Sequence, residues 1–442
     1  MNEEKPSERP TENLPAQDHF TDLPGVPEGK TLRAPFAAEW IEVLGAVILY
    51  VAAYGYILLW EDWKWLPVAA LPLIAVTELL FWEKKRSWES FIWLGCFLCA
   101  CVGGMLPDDG LRVWDGAQLA LFIHVFFVWW VLARSGKLVD GKSGHLLPLD
   151  AVNGFFVIPF ANFFLRIRTV VYGLCHLVPK TGDAKKKPWG WIAAAAVLCL
   201  ALFIGAAELL MQADAGFSRM FERVADWFRF DWDGTVLVRL LFSLPVGAWL
   251  FGLIGGARRT DGGFLARQRE NTLNSLEKLR KVPGGFWTAV IAVFSALYLV
   301  FFAVQFRYLF GAFTRTLPEG FIVSEYARQG FFELCKVMAV NFAVLWLVTR
   351  MASGETAGKR SLRISCLVLL AESMIFAVIA LSKLALYISC FGFTPLRLQS
   401  SWLVCVLFAG CGLWAYTLVT GRPVFRKWMI FGAVTLALLC LV

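Results

Sequence analysis

The chain has 442 residues, of which 58% are hydrophobic and 17% charged, with 38 Phe, 20 Trp and a formal net charge of +8. Soluble globular chains carry about a quarter charged residues, so this composition excludes a chain built around a water-soluble catalytic domain. Apolar runs near the roughly 20 residues that cross a hydrocarbon core about 30 Å thick recur along it, which predicts a polytopic membrane protein.

The first 36 residues hold six prolines, seven acidic and four basic residues with almost no aliphatic pattern. They predict a disordered cytoplasmic tail, because too little apolar surface is present to offset chain entropy. The first apolar run starts near Ile41 without the basic start and short apolar core of a cleaved leader. Runs then occur at about 41–60, 65–82, 89–106, 116–133, 190–211, 236–256, 287–306, 329–348, 364–388, 402–420 and 425–442. The expectation is an all-α bundle of about 11 spans over 37–442, since open sheet edges in lipid would leave backbone groups unpaired.

Basic side chains set the orientation. With the N-terminus inside, the inner loops and tail hold 30 Lys and Arg and the outer loops eight, the asymmetry expected of a chain in a bacterial inner membrane. The +8 charge is thus a topological signal, and no nucleic-acid partner is implied. Two loops contain more than turns. Phe217, Met220, Phe221, Val224, Trp227 and Phe228 recur at helical spacing, predicting an interfacial helix over 217–229. The apolar stretch Phe155 to Leu165, interrupted by Pro159 and Asn162, is too short to span and predicts an interfacial or re-entrant segment near 151–176.

Most of the eleven cysteines, among them Cys96, Cys99, Cys101, Cys405 and Cys411, lie within spans, where they behave as small apolar residues. The four histidines, His19, His124, His145 and His176, are scattered. Neither a metal site nor a cofactor is expected.

Ionisable residues inside spans cost about 2.5–3.5 kcal/mol each on insertion scales, so each needs a partner or a wet cavity. These are Glu78, His124, Glu208, Arg239, Glu333, Lys336, Glu372 and Lys383. By the expected topology Glu333 lies about 7.5 Å below the outer end of its helix, at a rise of about 1.5 Å per residue. Lys383 reaches a matching depth on the next helix, which predicts a Glu333–Lys383 ion pair, with Lys336 one turn away. Glu372 falls about 16 Å from Lys383 on the same stripe, out of its reach, and is expected either protonated or facing another helix. Pro245 predicts a kinked or interrupted sixth span. The Gly252 and Gly256 spacing predicts a close helix contact.

Four further segments carry a resemblance. They are Ala213-Asp214 with Phe217; Gln305 with Tyr308-Leu309-Phe310-Gly311; Leu317-Pro318-Glu319-Gly320 followed by Glu325-Tyr326-Ala327-Arg328 and Gly330-Phe331; and Tyr387 followed by Gly392, Thr394, Leu396 and Arg397. In order and spacing over roughly 190–442 the chain resembles a bacterial multi-pass membrane family catalogued only as a domain of unknown function. The resemblance implies a membrane location and a helix order, and lends no reaction or ligand. Phe391 stands where a Tyr is usual in similar proteins. The chain also stops at Val442 inside an apolar run where those proteins continue with a polar segment, so truncation is an expectation.

By the charge count all four segments lie at the outer boundary. The expected ligand-binding residues are therefore Asp214, Gln305, Tyr308, Glu325, Tyr326, Arg328, Glu333, Lys336, Lys383 and Arg397. The function read from them is binding or transport of a ligand, or service as a sensor or assembly partner of other envelope membrane proteins, through an outward-facing polar site. No P-loop is present, so any transport is secondary. The alternative is a glycosyltransferase-like membrane enzyme using a lipid-linked donor, with acidic pairs Glu61-Asp62 and Asp108-Asp109 in outer loops. Other catalytic signatures are missing, which argues against an enzyme.

Overall fold

The computed structural model describes residues 36–59, 62–107, 112–177, 234–306, 323–353 and 360–442, with the backbone alone for 323–330. Among the described residues every regular element is helical, and the isolated bridge between Val282 and Ala352 is the one extended pairing. A helix satisfies its own backbone groups, which is what a hydrocarbon solvent demands.

The N-terminal half holds α1 (Trp40–Leu58), α2 (Leu66–Leu80, entered through a 3-10 turn at Trp63–Trp65), α3 (Trp88–Met105) and α4 (Gly116–Ser135). Local chemistry fixes their ends. Ser87 caps α3 by accepting from the Ser90 amide at 3.1 Å, Asp115 and Gln118 exchange bonds in a capping box at the start of α4, and Gly136 ends it at φ +62°, a conformation that costs glycine little.

The segment expected to be interfacial or re-entrant forms α5 (Leu147–Ala161) and α6 (Leu165–His176), bent by 44° at the break between them. α7 (Gly234–Arg259) follows and runs unbroken across Pro245, so of the two expected outcomes, a kink or an interruption, the interruption does not occur. The amphipathic α8 (Gly262–Lys278) buries Leu265 against Val139 and Leu146. The C-terminal half holds α9 (Gly284–Val304), α10 (Val323–Met351), α11 (Arg360–Phe391), α12 (Pro395–Thr420) and α13 (Phe425–Leu439).

Among the described residues nine helices are long and apolar enough to cross a membrane: α1, α2 with its 3-10 turn, α3, α4, α7, α9, α10, α11 and α12. The run expected to end the bundle as an eleventh span becomes α13, whose 15 residues reach only about 22 Å at the α-helical rise. The runs at 190–211 and 217–229, and residues 1–35 of the expected tail, lie outside the described residues.

Packing divides the helices into two groups. α1 packs on α2 and α7, α3 on α4, and α7 on the α5–α6 hairpin; in the second group α11 packs on α9, α10 and α12. α13 bridges the groups by packing on both α12 and α3. Glycines permit close approach between helices. A Cβ on Gly252 would meet the Pro159 carbonyl oxygen at 2.5 Å, and one on Gly256 would meet Asn162 Nδ2 at 2.7 Å. The two glycines thus seat α7 against the bend of the hairpin, a close contact that a small-residue spacing permits.

One end of the bundle is stitched by ion pairs. Arg134, with 1% of its side chain exposed, pairs with Glu78 at 3.0 Å and donates to the Phe81 and Lys84 carbonyls. Arg259 pairs with Glu42, Arg258 with Glu39, Arg269 with Asp140, and Arg426 with Glu89. Starts of α1, α3 and α13 therefore share this end with the terminations of α2, α4 and α7. At the opposite end Gln399 of α12 donates to the Val113 carbonyl, and the Trp114 and Trp402 rings meet edge to face at 6.1 Å.

Because the obstacle to a side chain at 252 is backbone, Gly252→Val is expected to destabilise the folded protein by about 1–3 kcal/mol. Gly262→Val, at a glycine with open space around it, serves as the control in thermal denaturation in detergent.

Candidate functional site

α11 is 32 residues long and presents a buried stripe that includes Cys366, Leu369, Ser373, Phe376, Ala380 and Lys383. Three of its buried side chains are polar or charged: Glu372, Ser373 and Lys383. Burying them in an apolar interior is costly unless hydrogen bonds compensate, and two neighbouring helices provide such bonds. From α9, the Ser295 hydroxyl donates to Glu372 Oε2 at 2.9 Å. Also from α9, the Tyr298 hydroxyl donates to Asn341 Oδ1 on α10 at 2.6 Å. Asn341 Nδ2 then donates to Ser373 Oγ at 2.9 Å, and the Ser373 hydroxyl donates to the Leu369 carbonyl at 2.8 Å.

The result is a directed hydrogen-bond chain that ties α9, α10 and α11 together at mid-depth. Phe376 closes it from one side, its ring 5.1 Å from Tyr298 and 4.8 Å from Phe302. Each side-chain polar atom of the Tyr298–Asn341–Ser373 chain makes at least one hydrogen bond. Glu372 is the exception. It is 4% exposed, and its Oε1 has no hydrogen-bond partner among the described residues. Its position answers the question left open by the sequence, since the carboxyl faces α9.

Lys383 lies eleven residues further along α11 and is fully buried. Glu333 acts on it electrostatically, but Glu333 and Lys336 project from an exposed face of α10. The expected Glu333–Lys383 ion pair does not form: no contact of ion-pair length joins the two side chains. Arg397 stacks on the Tyr387 ring at 4.1 Å and donates to the Phe391 and Gly392 carbonyls, clamping the α11–α12 turn. Gln305 follows α9, exposed, with its amide bonded to the Phe301 carbonyl. Glu325, Tyr326 and Arg328 lie in the first turns of α10, described by backbone alone, while Asp214 and Tyr308 lie outside the described residues. Of the expected set, the structure brings Glu333 and Lys383 into electrostatic reach, with Arg397 on the same end of α11 through Tyr387.

Ser295, Tyr298, Asn341 and Ser373 went unnoticed in the sequence. Asn341 had a readable signal: it falls on the buried register Leu334, Met338, Leu345 and Val348, where a polar residue needs a partner.

A second polar pair sits in the N-terminal half. His124 Nδ1 lies 2.6 Å from the Ala120 carbonyl and Nε2 lies 2.7 Å from the Tyr56 hydroxyl. A carbonyl only accepts, so Nδ1 carries the proton and Nε2 accepts from Tyr56. The pair lines a cavity of about 500 Å³ walled by Trp63, Phe97, Phe127 and Trp249. Of the acidic residues raised for a lipid-linked donor enzyme, Asp62 accepts from the Lys64 amide and pairs with its ammonium at 3.0 Å. Those bonds hold its carboxyl below the usual carboxylate range. Glu61, Asp108 and Asp109 lie outside the described residues. No group of three or more His, Cys, Asp or Glu side chains able to hold a metal occurs among the described residues.

A family model described as a domain of unknown function, DUF4153, matches residues 68–442. The chain belongs to this family. The DUF4153 match begins inside α2 and takes in the hairpin, α7 and the whole C-terminal half, including all four of the segments noted in the sequence. It leaves out α1, although α1 packs on both α2 and α7. No curated protein and no solved structure matches the chain significantly.

Asn341→Ala removes the centre of the hydrogen-bond chain, leaving the Tyr298 hydroxyl without its acceptor and Ser373 without the N–H that Asn341 donates to it. It is expected to lower the unfolding free energy by about 1–3 kcal/mol in a denaturing-detergent titration. Tyr298→Phe is expected to cost less in that background than alone, because the two share one bond.

Proposed function

We propose that the chain is a secondary transporter of the bacterial inner membrane that moves a small polar or ionic solute through its C-terminal helix group, coupled to a proton carried on Glu372. One observation supports this reading above the rest: a buried carboxyl in a membrane helix, with one oxygen bonded to Ser295 and the other without a hydrogen-bond partner among the described residues. A charge held there costs several kcal/mol, so the group changes protonation readily when its surroundings change. Such intramembrane carboxyls mark proton relays and substrate pathways.

In this reading the solute enters from the end opposite the ion-paired network. There it meets the layer of Asp214, Gln305, Tyr308, Glu325, Tyr326, Arg328, Glu333, Lys336 and Arg397, with Lys383 below it as a fixed countercharge. The ion-paired, basic end faces the cytoplasm and the N-terminus lies inside, as the 30-to-eight asymmetry of basic residues favours.

Purified protein in proteoliposomes loaded with a pH-sensitive dye is expected to pass protons when a mixture of candidate solutes is added outside. Glu372→Gln, which keeps a Ser295 acceptor but cannot carry a proton, is expected to reduce the flux to that of empty liposomes. A wild type that moves no protons, while an envelope protein co-purifies at fixed ratio, moves the function to a sensor or assembly role.

Orientation is tested separately in a background with exposed Cys175, Cys390 and Cys405 replaced by serine. A membrane-impermeant maleimide added to intact cells is expected to label Thr394→Cys and to leave Ser275→Cys unlabelled until the cells are opened. The reverse pattern inverts the topology.

A further inference from the structure

At the basic end a cleft of about 500 Å³ opens between α10, α12, the start of α13 and the turn at 145–148. Its walls are aromatic: Phe342, Trp346, Trp414, Phe425 and Trp428. They are fixed in place. The Phe342 and Trp428 rings stack at 6.1 Å and 7°, Trp414 meets Phe342 at 5.8 Å, and Trp428 Nε1 donates to the Val406 carbonyl at 2.8 Å. Trp346 and Phe425 remain 53% and 43% exposed, so the cleft is not closed over by the described residues.

The cleft does not end in hydrocarbon. Arg350 and Thr349 line it and also line a second, polar hollow of about 320 Å³ that adds Arg280 and Glu277 from α8 and the residues after it. Arg280 acts on Arg350 as a like charge. Neither guanidinium forms an ion pair with Glu277 or any other carboxylate among the described residues, in contrast to Arg134, Arg258, Arg259, Arg269 and Arg426 at the same end. Among the described residues Arg350 makes one long contact, of 3.5 Å, to the His145 carbonyl.

From this geometry we infer a binding site for one anionic phospholipid. Its acyl chain lies in the aromatic cleft, and its phosphate sits in the adjoining hollow between Arg280 and Arg350. The paired shapes match an amphipathic ligand: an apolar slot of a size suited to a small-molecule chain, continuous with two uncompensated guanidiniums at the membrane boundary. Basic pockets between membrane helices on the cytoplasmic side select anionic headgroups, and Arg presents a planar fork suited to phosphate. Because the 145–148 turn belongs to the N-terminal helix group and the other walls to the C-terminal one, the bound lipid would hold the two together.

The test uses the full chain in detergent, with dioleoyl phosphatidylglycerol and dioleoyl phosphatidylcholine as probes. The wild type is expected to retain phosphatidylglycerol near one per chain in native mass spectrometry, and to gain thermal stability from it but not from phosphatidylcholine. The Arg280→Gln, Arg350→Gln double variant is expected to weaken the anionic preference roughly tenfold or more while melting as the wild type does in phosphatidylcholine. Ala343→Phe, which fills the cleft and leaves both arginines in place, is expected to lose the retained lipid as well. Equal retention of the two lipids by the wild type, or an undiminished anionic preference in the double variant, overturns the site.

Discussion

In a solvent that cannot hydrogen-bond, every polar group that enters the hydrocarbon must bring its partner with it. This constraint accounts for the arrangement of charge. Where water is near, charges pair at helix ends: Glu78 with Arg134, Glu42 with Arg259 and Glu89 with Arg426. Arg134 shows the rule at its strictest, since its nearly buried guanidinium is satisfied by one carboxylate and two backbone carbonyls. Toward mid-depth the pairs become neutral, and Tyr298, Asn341 and Ser373 bond one another in sequence. Glu372 departs from this pattern as a buried carboxyl with one oxygen unpartnered among the described residues, which is why the functional reading rests on it.

The sequence made the helices legible because their period and length reflect the thickness of the bilayer. Nine of the apolar runs coincide with candidate spans, and the Pro159 and Asn162 break coincides with the bend between α5 and α6. It also made in-span charges legible one by one. What it could not supply was which faces meet. Glu333 and Lys383 match in depth along their helices, but Glu333 points away from the packed face of α10, and depth alone carries no azimuth. Glu372 was recognised as isolated from Lys383, yet its partner Ser295 lies 77 residues away and is one serine among many in apolar runs. The aromatic cleft was less legible still, because its walls come from three stretches, 145–148, 342–350 and 410–428, that lie far apart in the chain, and its aromatic residues look individually like interface anchors.

Pro245 and the Gly252–Gly256 spacing illustrate the same distinction. A proline in a helix removes one hydrogen bond, and neighbours can compensate; here α7 stays continuous. The glycines matter for the opposite reason, that they remove side chains where the hairpin backbone arrives, and only the hairpin's position reveals it.

The two helix groups are fastened at both ends. Arg426 to Glu89 joins α13 to α3 at the basic end, while Gln399 to the Val113 carbonyl and Trp402 against Trp114 join α12 to the start of α4 at the other. Along α13, Trp402 Nε1 donates to Thr435 at 2.9 Å and continues the seam. Rocking of one group against the other would break contacts at both ends at once, so rearrangement is least costly within the C-terminal group. There α9 is the least enclosed of the nine spanning helices among the described residues. α9 also carries both hydroxyls, Ser295 and Tyr298, that reach the polar centre. A change in the charge on Glu372 alters the bond that Ser295 makes, and so acts on the helix with the fewest packing contacts to resist it.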